Sequence, residues 1–377
     1  MILFGPLPGI VNGHTLAFRC LIEGLKDRGI GFSLVDYSTH LLNGKGAGRS
    51  LWRIAEYFRI IFRFLLLIVS SKRTVVYITL NQALDGAVRD FFLIVASKLC
   101  GHSVVVHIHG GMYDRVLNDL PAFLRPLMLR ALEKCSKIII LSDYLRKMFS
   151  EYPGISRRLA VVKNGLPFDL IGDACVEGKN IERKSRINLL FLSNMIETKG
   201  WEETLQAVKI LVHEKKIDIL ARFCGPFQIM PGDIKYSDPV EARAAFDKYI
   251  SENSLSSHVE YIEFADEKTK DVLLRQTHFM VFPSRYPNEG QPLVLIEGLA
   301  YGCVLIATDY RAIPDMVIPG KSGVLTSSDP CEIADSIFRL VENPRLYETL
   351  SRGALELFNS SFTRKKHVEC ILEILKK

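Results

Sequence analysis

Two glutamates, Glu289 and Glu297, stand eight positions apart in the stretch 279–303, FMVFPSRYPNEGQPLVLIEGLAYGC. The apolar start of this stretch predicts a buried strand, and Pro292 then opens a helical pattern that ends at Gly302. A ligand bound here would meet the carboxyl end of a strand and the positive end of a helix dipole. At a rise of about 1.5 Å per helical residue, Glu297 lies roughly 7–8 Å beyond the helix start. The two carboxylates therefore fit a ligand that carries hydroxyl groups on either side of an anion.

Glu297 is unusual because its predicted helix is otherwise apolar. Burying a carboxylate among apolar side chains is costly unless a partner pairs with it. One interpretation places Glu297 at the rim, facing solvent. The other makes it a ligand-binding group, and a nucleotide-sugar, with its ribose, diphosphate and hexose, has the shape that the pair of glutamates requires.

Three further residues stand where predicted strands and helices join. Lys199 precedes a predicted helix over 201–215, where a mobile positive charge and oriented N–H groups suit a departing diphosphate. Gly13 is the second-last residue of the loop GPLPGIVNGH between a strand and a helix, a layout that cradles phosphates but also occurs in plain tight turns. His109 ends a predicted strand over 102–109 and precedes two glycines, so it either reaches a ligand or packs as an ordinary histidine.

The segment PSRYPNEGQPLVLIEGLAYG resembles the signature of the family 4 glycosyltransferases, retaining enzymes of GT-B fold. Their signature contains a Glu, seven residues and a second Glu. The resemblance implies that Glu289, with the backbone after it, holds the donor hexose and that Glu297 holds the ribose hydroxyls. The donor-binding residues that it implies in this segment are Glu289, Gly290, Gln291, Pro292, Leu293 and Glu297.

Other segments extend the resemblance. SNMIETKG is similar to the family's G-R-L-x-x-x-K-G, whose Arg and Lys hold the diphosphate. Lys199 matches this Lys, and Asn194 stands at the Arg position as a further implied donor-binding residue. Gly13 matches the glycine that closes over the diphosphate, and His109 matches the histidine that reaches the donor sugar. The implied catalytic residues are Lys199, Glu289 and His109.

The sequence departs from the family pattern at two places. Asn194 removes one positive charge from the predicted leaving-group site, although its amide can still donate a hydrogen bond; Arg222 and Arg285 are candidates to compensate. TDYRAIPDMV stands where the family has a pair of glycines. Bulk beside the site predicts an unusual sugar or acceptor preference.

Strands and helices alternate along most of the chain, which predicts parallel, doubly wound sheets. The alternation is lost over 166–185, and a chain of 377 residues is long enough for two domains. We place the domains at 1–167 and 186–358, with a C-terminal helix over 359–377 that crosses back to the first. The resemblance implies the GT-B architecture, an α/β fold in which two Rossmann-like, doubly wound parallel-sheet domains face each other across a cleft.

Positive charge is concentrated in residues 1–165, which contain 22 Lys and Arg against 11 Asp and Glu, in a chain of net charge +6. No nucleic-acid-binding motif accompanies this charge, so we favour contact with anionic lipid head groups. The helical pattern over 49–71 is nearly all apolar outside a narrow stripe that contains Arg59 and Arg63. This helix either packs on the sheet with one wet edge or dips into a bilayer surface.

Cysteine spacing and hydropathy indicate in which cellular compartment the protein is expected. Eight cysteines without a C-x-x-C pair predict buried free thiols in a reducing compartment. The start MILFGPLPG lacks the features of a signal peptide, and no apolar run reaches the ~18 residues of a membrane span. We expect a cytoplasmic protein, with peripheral contact at the inner face of the membrane as an option.

Together these features predict a glycosyltransferase that moves a sugar from a UDP- or GDP-sugar to a lipid-linked or glycan acceptor. The resemblance implies retention at the anomeric carbon and a role in bacterial surface polysaccharide assembly. We expect no cofactor and no metal, because no Asp-x-Asp pair stands at a strand end and the family needs none. Three alternatives stay open at this point. They are a GT-B epimerase acting on a nucleotide-sugar, a non-catalytic nucleotide-sugar-binding partner of another transferase, and a glycosidase that uses the two carboxylates.

Overall fold

The computed structural model describes residues 1–7, 13–38, 47–166, 178–182, 185–230 and 233–376, with the backbone alone described for residues 13 and 47–54. The chain divides into two units. The first contains Met1–Asp169 and Phe362–Lys377, and the second contains Leu170–Ser361. The predicted linker, 166–185, and the glycine loop before Gly13 fall largely outside the described residues.

The first unit is built on one parallel sheet of six strands. Short runs rich in Val and Ile form these strands, and most of their side chains are buried, as expected for a sheet covered on both faces. The strands are β1 (Ile2–Gly5), β2 (Ser33–Asp36), β3 (Val75–Thr79), β4 (Ser103–His107), β5 (Lys137–Ile140) and β6 (Leu159–Val161). Their order in space is β2-β1-β3-β4-β5-β6, so the winding reverses between β1 and β3.

Helices connect the strands of this sheet. They are α1 (Gly13–Asp27), α2 (Ala47–Ser70), α3 (Leu84–Leu99), α4 (Tyr113–Asp119), α5 (Leu124–Glu133) and α6 (Pro153–Ser156). The apolar pattern of the sequence predicts a helix over 91–100. In the structure this helix, α3, begins earlier, at Leu84. Asp85 and Gly86 interrupt the apolar pattern there, but Gly86 packs against Asn81, whose side chain also accepts a hydrogen bond from the Ala83 N–H. The short helices α4 and α6 were not predicted.

The second unit contains another parallel sheet of six strands. They are β7 (Ile187–Leu192), β8 (Ile219–Cys224), β9 (Val259–Ile262), β10 (Phe279–Phe282), β11 (Val304–Thr308) and β12 (Gly323–Thr326). Their order is β12-β11-β10-β7-β8-β9, so the winding reverses between β7 and β10. Strand β12 was not predicted, because GVLT is short and only half of its residues are fully buried.

The helices of the second unit are α7 (Trp201–His213), α8 (Pro239–Glu252), α9 (Glu267–Gln276), α10 (Leu293–Ala300), α11 (Pro330–Val341) and α12 (Pro344–Ser361). Aspartates cap three of them by accepting hydrogen bonds from first-turn N–H groups, which stabilises a helix start. Two parallel sheets with flanking helices confirm the predicted α/β class and its two Rossmann-like, doubly wound units.

The last helix, α13 (Arg364–Leu375), belongs to the first unit. Its apolar face buries Val368 and Ile371 in the same cluster as Phe18 and Leu21 of α1. Arg364 adds ion pairs to Glu23 and Asp27 at the edge of this contact. The end of the chain is thereby packed on α1.

Helix α2 is apolar on two sides. Its inner side buries Phe64 and Ile68 in the core of the first unit. Its outer side leaves Phe58, Phe62 and Val69 exposed by 65%, 63% and 72%. The helix therefore packs on the sheet, as the packed-helix interpretation expects. Its exposed side, however, carries large apolar side chains in addition to the polar stripe that contains Arg59. In the part of the chain that the structure describes, no helix combines the length and the apolar character needed to cross a membrane.

No disulfide joins the seven cysteines that the structure describes. Four of them are buried, and Cys100, Cys331 and Cys370 are exposed. The prediction of buried thiols therefore holds for the four buried cysteines, two of which, Cys135 and Cys303, lie just before strands, and is wrong for the three exposed ones.

Gly200 carries a local constraint close to Lys199. Its φ is 84°, and a Cβ at this position would lie 2.6 Å from Cγ and 2.7 Å from the carbonyl oxygen of Pro283. We expect Gly200→Ala to lower the free energy of unfolding by about 1–3 kcal/mol, because the left-handed backbone is strained for alanine and Pro283 must move. Urea unfolding followed by circular dichroism measures this loss.

Gly31→Ala is the matched control, since a Cβ there would meet no atom within 4 Å. Equal unfolding midpoints for the two variants would show that the constraint at Gly200 is unimportant.

Candidate functional site

Loops after β7 and β10 bring Lys199 and Glu289 together where the second sheet reverses its winding. Lys199 Nζ donates to Glu289 Oε2 at 2.6 Å, and Ser284 Oγ donates to the same oxygen at 2.9 Å. The side chains of Lys199 and Glu289 are 12% and 6% exposed, so the ion pair is largely shielded from water. In an open α/β sheet this edge is where ligands bind.

Aromatic rings hold the Lys199 ammonium in place. Nζ lies 4.6 Å from the ring centroid of Tyr286 and 5.2 Å from that of Phe282, distances typical of cation–π contact. Burial raises the pKa of Tyr286, and the charges of Glu289 and Asp233 raise it further. Tyr286 therefore keeps its hydroxyl proton at neutral pH. Sequence reasoning missed Ser284 and Tyr286 as site residues, although both stand in the quoted signature segment.

Glu297 is buried, with only 2% exposure, so the interpretation that places it at a solvent-facing rim is wrong. Its Oε1 accepts a hydrogen bond from Lys270 Nζ at 2.5 Å. Lys270 lies on α9, whose start is capped by Asp266 through the Thr269 N–H. The sequence indicated that a buried Glu297 needs a partner but carried no signal that names Lys270.

The second carboxylate oxygen of Glu297 is buried and finds no hydrogen-bond partner among the described residues. An oxygen of this kind is expected to accept a hydrogen bond from a ligand or from water. Glu297 can therefore accept from a hydroxyl group without giving up Lys270.

The segment between Glu289 and α10 is buried. Gly290 is buried, and Gln291 and Leu293 are 4% and 7% exposed. Pro292 has ψ of 118° and stands at the N-cap position of α10, so the prediction that it is the first helical residue is off by one. Pro292, as the N-cap residue, provides no side-chain cap for this helix. Since the first N–H groups of a helix have no partner within it, the helix start can bind an anion.

Asn194 donates its Nδ2 hydrogen to Gln228 Oε1 at 3.0 Å. The two arginines considered as replacements for the missing positive charge are engaged with other acids. Arg222 pairs with Glu260 at 2.9 Å, and Arg285 pairs with Glu203 at 2.6 Å. Among the predicted site residues and their described partners, Lys199 and Lys270 thus carry the positive charge.

Gly13 and His109, the other two predicted site residues, lie in the first unit. Gly13 is the first residue of α1. His109 follows β4, which ends at His107 rather than at His109 as predicted. The ring of His109 stacks on His107 with centroids 3.9 Å apart and lies 4.8 Å from the ring of His14. His107 and His109 share one face, as the two-residue period of extended chain requires.

A cluster of four histidines forms around His109. Its other members are His14, His107 and His367 of α13, and His107 Nδ1 lies 2.5 Å from the Tyr77 hydroxyl. Burial lowers the pKa of His14 and of His367 to about 4 and holds the pKa values of His107 and His109 well below 6.5. All four rings are neutral near pH 7. The sequence could not show this cluster, because segments far apart in the chain supply its members.

Within the described ranges, no group of three or more His, Cys, Asp or Glu side chains is placed to hold a metal ion.

Comparison with known proteins finds a family match for most of the second unit. Residues 177–356 match the model of the family described as Glycosyl transferases group 1. An uncharacterised glycosyltransferase of Methanocaldococcus jannaschii is 26% identical over 64% of this chain and 58% of its own length. The alpha-D-kanosaminyltransferase of Streptomyces kanamyceticus is 22% identical over 71% of this chain and 68% of its own length. The chain thus spans less than two thirds of the first of these relatives.

Solved structures show the same fold over the whole chain. HepE of Anabaena, crystallised with UDP, superposes with a TM-score of 0.72 at 16% identity and covers 100% of this chain and 99% of its own. At this identity the likeness concerns the fold. The two Rossmann-like units are those of the GT-B fold, as the resemblance implied.

The histidine cluster predicts acid sensitivity of the first unit. The pKa of His367 is about 4 in the folded state, against 6.5 in the unfolded state. Above pH 6.5 the ring is neutral in both states, so it does not change the free energy of unfolding. As the pH falls below 6.5, the unfolded state takes up the proton first and is stabilised. At about pH 5, His367 alone should lower the free energy of unfolding by roughly 2 kcal/mol relative to neutral pH. Melting temperatures measured at both pH values should therefore fall less for His367→Asn, which can still donate to the Lys163 carbonyl but cannot take up a proton.

His213→Gln is the control, since His213 is exposed on the second unit. The interpretation fails if His367→Asn keeps the full acid-induced drop in melting temperature that the wild type shows.

Proposed function

We propose that this protein is a glycosyltransferase that takes a sugar from a nucleotide-sugar and transfers it to a lipid-linked or glycan acceptor. The observation that carries the proposal is the meeting of Lys199 with Glu289 beside the start of α10, where the second sheet reverses its winding. The family match over 177–356 and the glycosyltransferase relatives support it.

Each part of a nucleotide-sugar has a matching group in the second unit. The diphosphate would lie between Lys199 and the uncapped start of α10, where a positive charge and oriented N–H groups meet. Glu297, with its unpartnered Oε2, would bind the ribose hydroxyls. Glu289 and the buried backbone of Gly290 and Gln291 would hold the hexose.

In the transfer, Lys199 would stabilise the negative charge that develops on the departing diphosphate. The Glu289 carboxylate now balances the lysine, so an incoming phosphate would share the ammonium with it. Asn194 would contribute an amide hydrogen bond in place of a charge. His109, neutral at physiological pH, would line the sugar through its ring nitrogens. We propose retention of the anomeric configuration from the family 4 resemblance of the signature segment.

UDP is the nucleotide that we favour over GDP, because HepE, which shares the fold, has been crystallised with UDP and with UDP-glucose. We propose that the reaction needs no metal ion, since Lys199 and the start of α10 supply the positive charge next to the diphosphate. The acceptor would be a lipid-linked saccharide or a growing glycan, as in surface polysaccharide assembly.

A thermal-shift panel of UDP, GDP, ADP and their common sugar conjugates tests the donor site. A bound ligand raises the melting temperature by mass action. We expect UDP and one UDP-sugar to stabilise the wild type, and we expect Glu297→Ala to lose most of this shift because the ribose loses its acceptor. The conjugate that stabilises most is then assayed for UDP release and for transfer to saccharide acceptors.

Glu297→Gln keeps the shape of the side chain, and Glu252→Ala removes an exposed glutamate from α8 as the control. EDTA in the same wells should leave the shift unchanged. The proposal fails if no nucleotide stabilises the wild type. Binding without turnover on any acceptor would favour the non-catalytic alternative, for which the neutral Asn194–Gln228 pair is the supporting observation.

We further propose that the outer side of α2 contacts an anionic membrane surface. Exposed Phe58, Phe62 and Val69 stand beside Arg59, which is 66% exposed, in a region with twice as many basic as acidic residues. Interfacial helices combine these features, since aromatic side chains enter the head-group boundary and arginines contact the lipid phosphates. Such a contact would bring the protein to a lipid-linked acceptor.

Co-sedimentation with vesicles that contain phosphatidylserine tests the membrane contact. The wild type should bind at low salt, and a Phe58→Gln, Phe62→Gln double variant should bind on the order of tenfold more weakly, because two exposed rings no longer enter the interface. Phe264→Gln is the control, since Phe264 is 80% exposed on the second unit. Absence of wild-type binding to these vesicles at low salt would refute the contact.

A further inference from the structure

Lys270 lies in the first turn of α9, at the edge of the second sheet where the loops with Lys199 and Glu289 also stand. Helix α9 follows β9, and a helix that follows a parallel strand begins at the carboxyl end of that strand. The Lys270 ammonium donates to Glu297 Oε1 at 2.5 Å, and the two side chains are 21% and 3% exposed. The pair is therefore mostly shielded from water at the ligand-binding edge of the sheet.

Hydrogen bonds fix the backbone around Lys270 from two sides. The Asp266 side chain accepts from the Thr269 N–H at 2.8 Å, and the Asp266 carbonyl accepts from the Lys270 N–H at 2.9 Å. The Tyr301 hydroxyl donates to Asp271 at 2.6 Å, which ties the end of α10 to the residue after Lys270. Helices α9 and α10 are thus held together next to the lysine.

The two oxygens of Glu297 have different surroundings. Oε1 accepts from Lys270, whereas Oε2 is buried and has no hydrogen-bond partner among the described residues. The last torsion of a glutamate side chain is broad, so by itself it does not fix the plane of the carboxylate. A charge-assisted hydrogen bond is about twice as strong as a neutral one and restricts that torsion. Lys270 therefore fixes the direction in which Oε2 can accept.

Lys270 also balances the charge of Glu297. Further titratable side chains close to this pair are Cys224 at the end of β8, Asp271 and Arg275 of α9, and Tyr301 at the end of α10. Arg275 pairs with Asp271 at 2.8 Å.

The other two groups close to the pair are uncharged in the neutral range. Burial raises the pKa of the Cys224 thiol to about 11, while the charge of Lys270 lowers it and that of Glu297 raises it. Burial and the hydrogen bond to Asp271 raise the pKa of the Tyr301 hydroxyl. Neither group can balance a carboxylate, and a buried charge without a partner is strongly destabilising. The balance for Glu297 thus comes from Lys270.

We infer that Lys270 is a positioning residue of the donor site, which holds the Glu297 carboxylate in its charged form and directs its second oxygen toward the ribose of the nucleotide. The inference rests on the proposed function for the identity of the ligand. Lys270 acts through Glu297 and does not itself contact the nucleotide.

Melting temperatures of the ligand-free full chain test the charge role. At about pH 8, Lys270→Met should melt below the wild type, because Glu297 is then a buried charge without a partner. At about pH 5.5 the difference should be smaller, because the folded variant takes up a proton on Glu297 more readily than its unfolded state does. The double variant Lys270→Met, Glu297→Gln lacks that charge, and its difference from the wild type should be equal at both pH values.

UDP-glucose titrations test the positioning role, since both phosphates of this ligand stay ionised over the same pH range. At the higher pH, Lys270→Met should bind on the order of tenfold more weakly than the wild type, the loss expected for one hydrogen bond to a charged group. The loss should grow at the lower pH, because a protonated carboxylate is a poorer acceptor. Lys270→Arg keeps the charge and should recover part of the affinity.

Lys268→Met is the matched control, since it removes an exposed lysine two residues earlier on α9. It should change neither the melting temperatures nor the affinity for UDP-glucose. Lys270→Gln replaces Lys270→Met in both measurements if the methionine variant does not fold.

A double-mutant cycle separates indirect from direct action of the lysine. In the Glu297→Gln background, Lys270→Met should cause no further loss of UDP-glucose affinity. An equal loss in both backgrounds would show that Lys270 contacts the ligand itself. That result, or a melting difference that does not change with pH, would overturn the inference. If no nucleotide binds the wild type but the melting difference still narrows in acid, the proposed donor is refuted and the charge role of Lys270 stands.

Discussion

The ion pair between Lys199 and Glu289 depends on the strand order of the second sheet. The two residues stand 90 positions apart, and they meet because β7 and β10 are neighbours although β8 and β9 come between them in sequence. Parallel strands end at the same edge, so the loops that follow β7 and β10 leave the sheet side by side. The two side chains lie 2.6 Å apart and are largely shielded from water. Removing either one would leave a buried, unpaired charge and would destabilise the fold.

Charge in the second unit is balanced locally, with one lysine for each of the two glutamates. Lys199 pairs with Glu289, and Lys270 pairs with Glu297. This arrangement lets two carboxylates be buried in an apolar setting without a bound ligand. It also leaves Glu297 Oε2 without a hydrogen-bond partner among the described residues, so this oxygen can still accept a hydrogen bond. Glu297 thus pairs with Lys270 through one oxygen, and the other oxygen is the one that would bind the proposed ligand.

The first unit uses neutral groups at the corresponding edge of its sheet. Burial keeps the rings of His107 and His109 uncharged. The buried charge of Arg89 is balanced by its ion pair with Asp90. The His107 and His367 rings also link the strand edge to the terminal helix α13. One fold, used twice, therefore presents charged groups at the strand ends of one unit and uncharged imidazoles at those of the other.

The sequence by itself determined the α/β class and most of the strands, because buried parallel strands appear as short apolar runs such as FMVF and INLLFL. It also pointed to Lys199, which precedes a predicted helix, to Glu289 in the loop before the next helix, and to Glu297, a carboxylate inside an otherwise apolar helix. It missed α4, α6 and β12, where the pattern is too short to be read. Only the tertiary structure decided which side chains meet: Lys270 with Glu297, and His367 in a cluster with His107. These partners come from segments separated by many residues, and local periodicity carries no information about strand order or about how the helices pack on the sheets, which together bring them into contact.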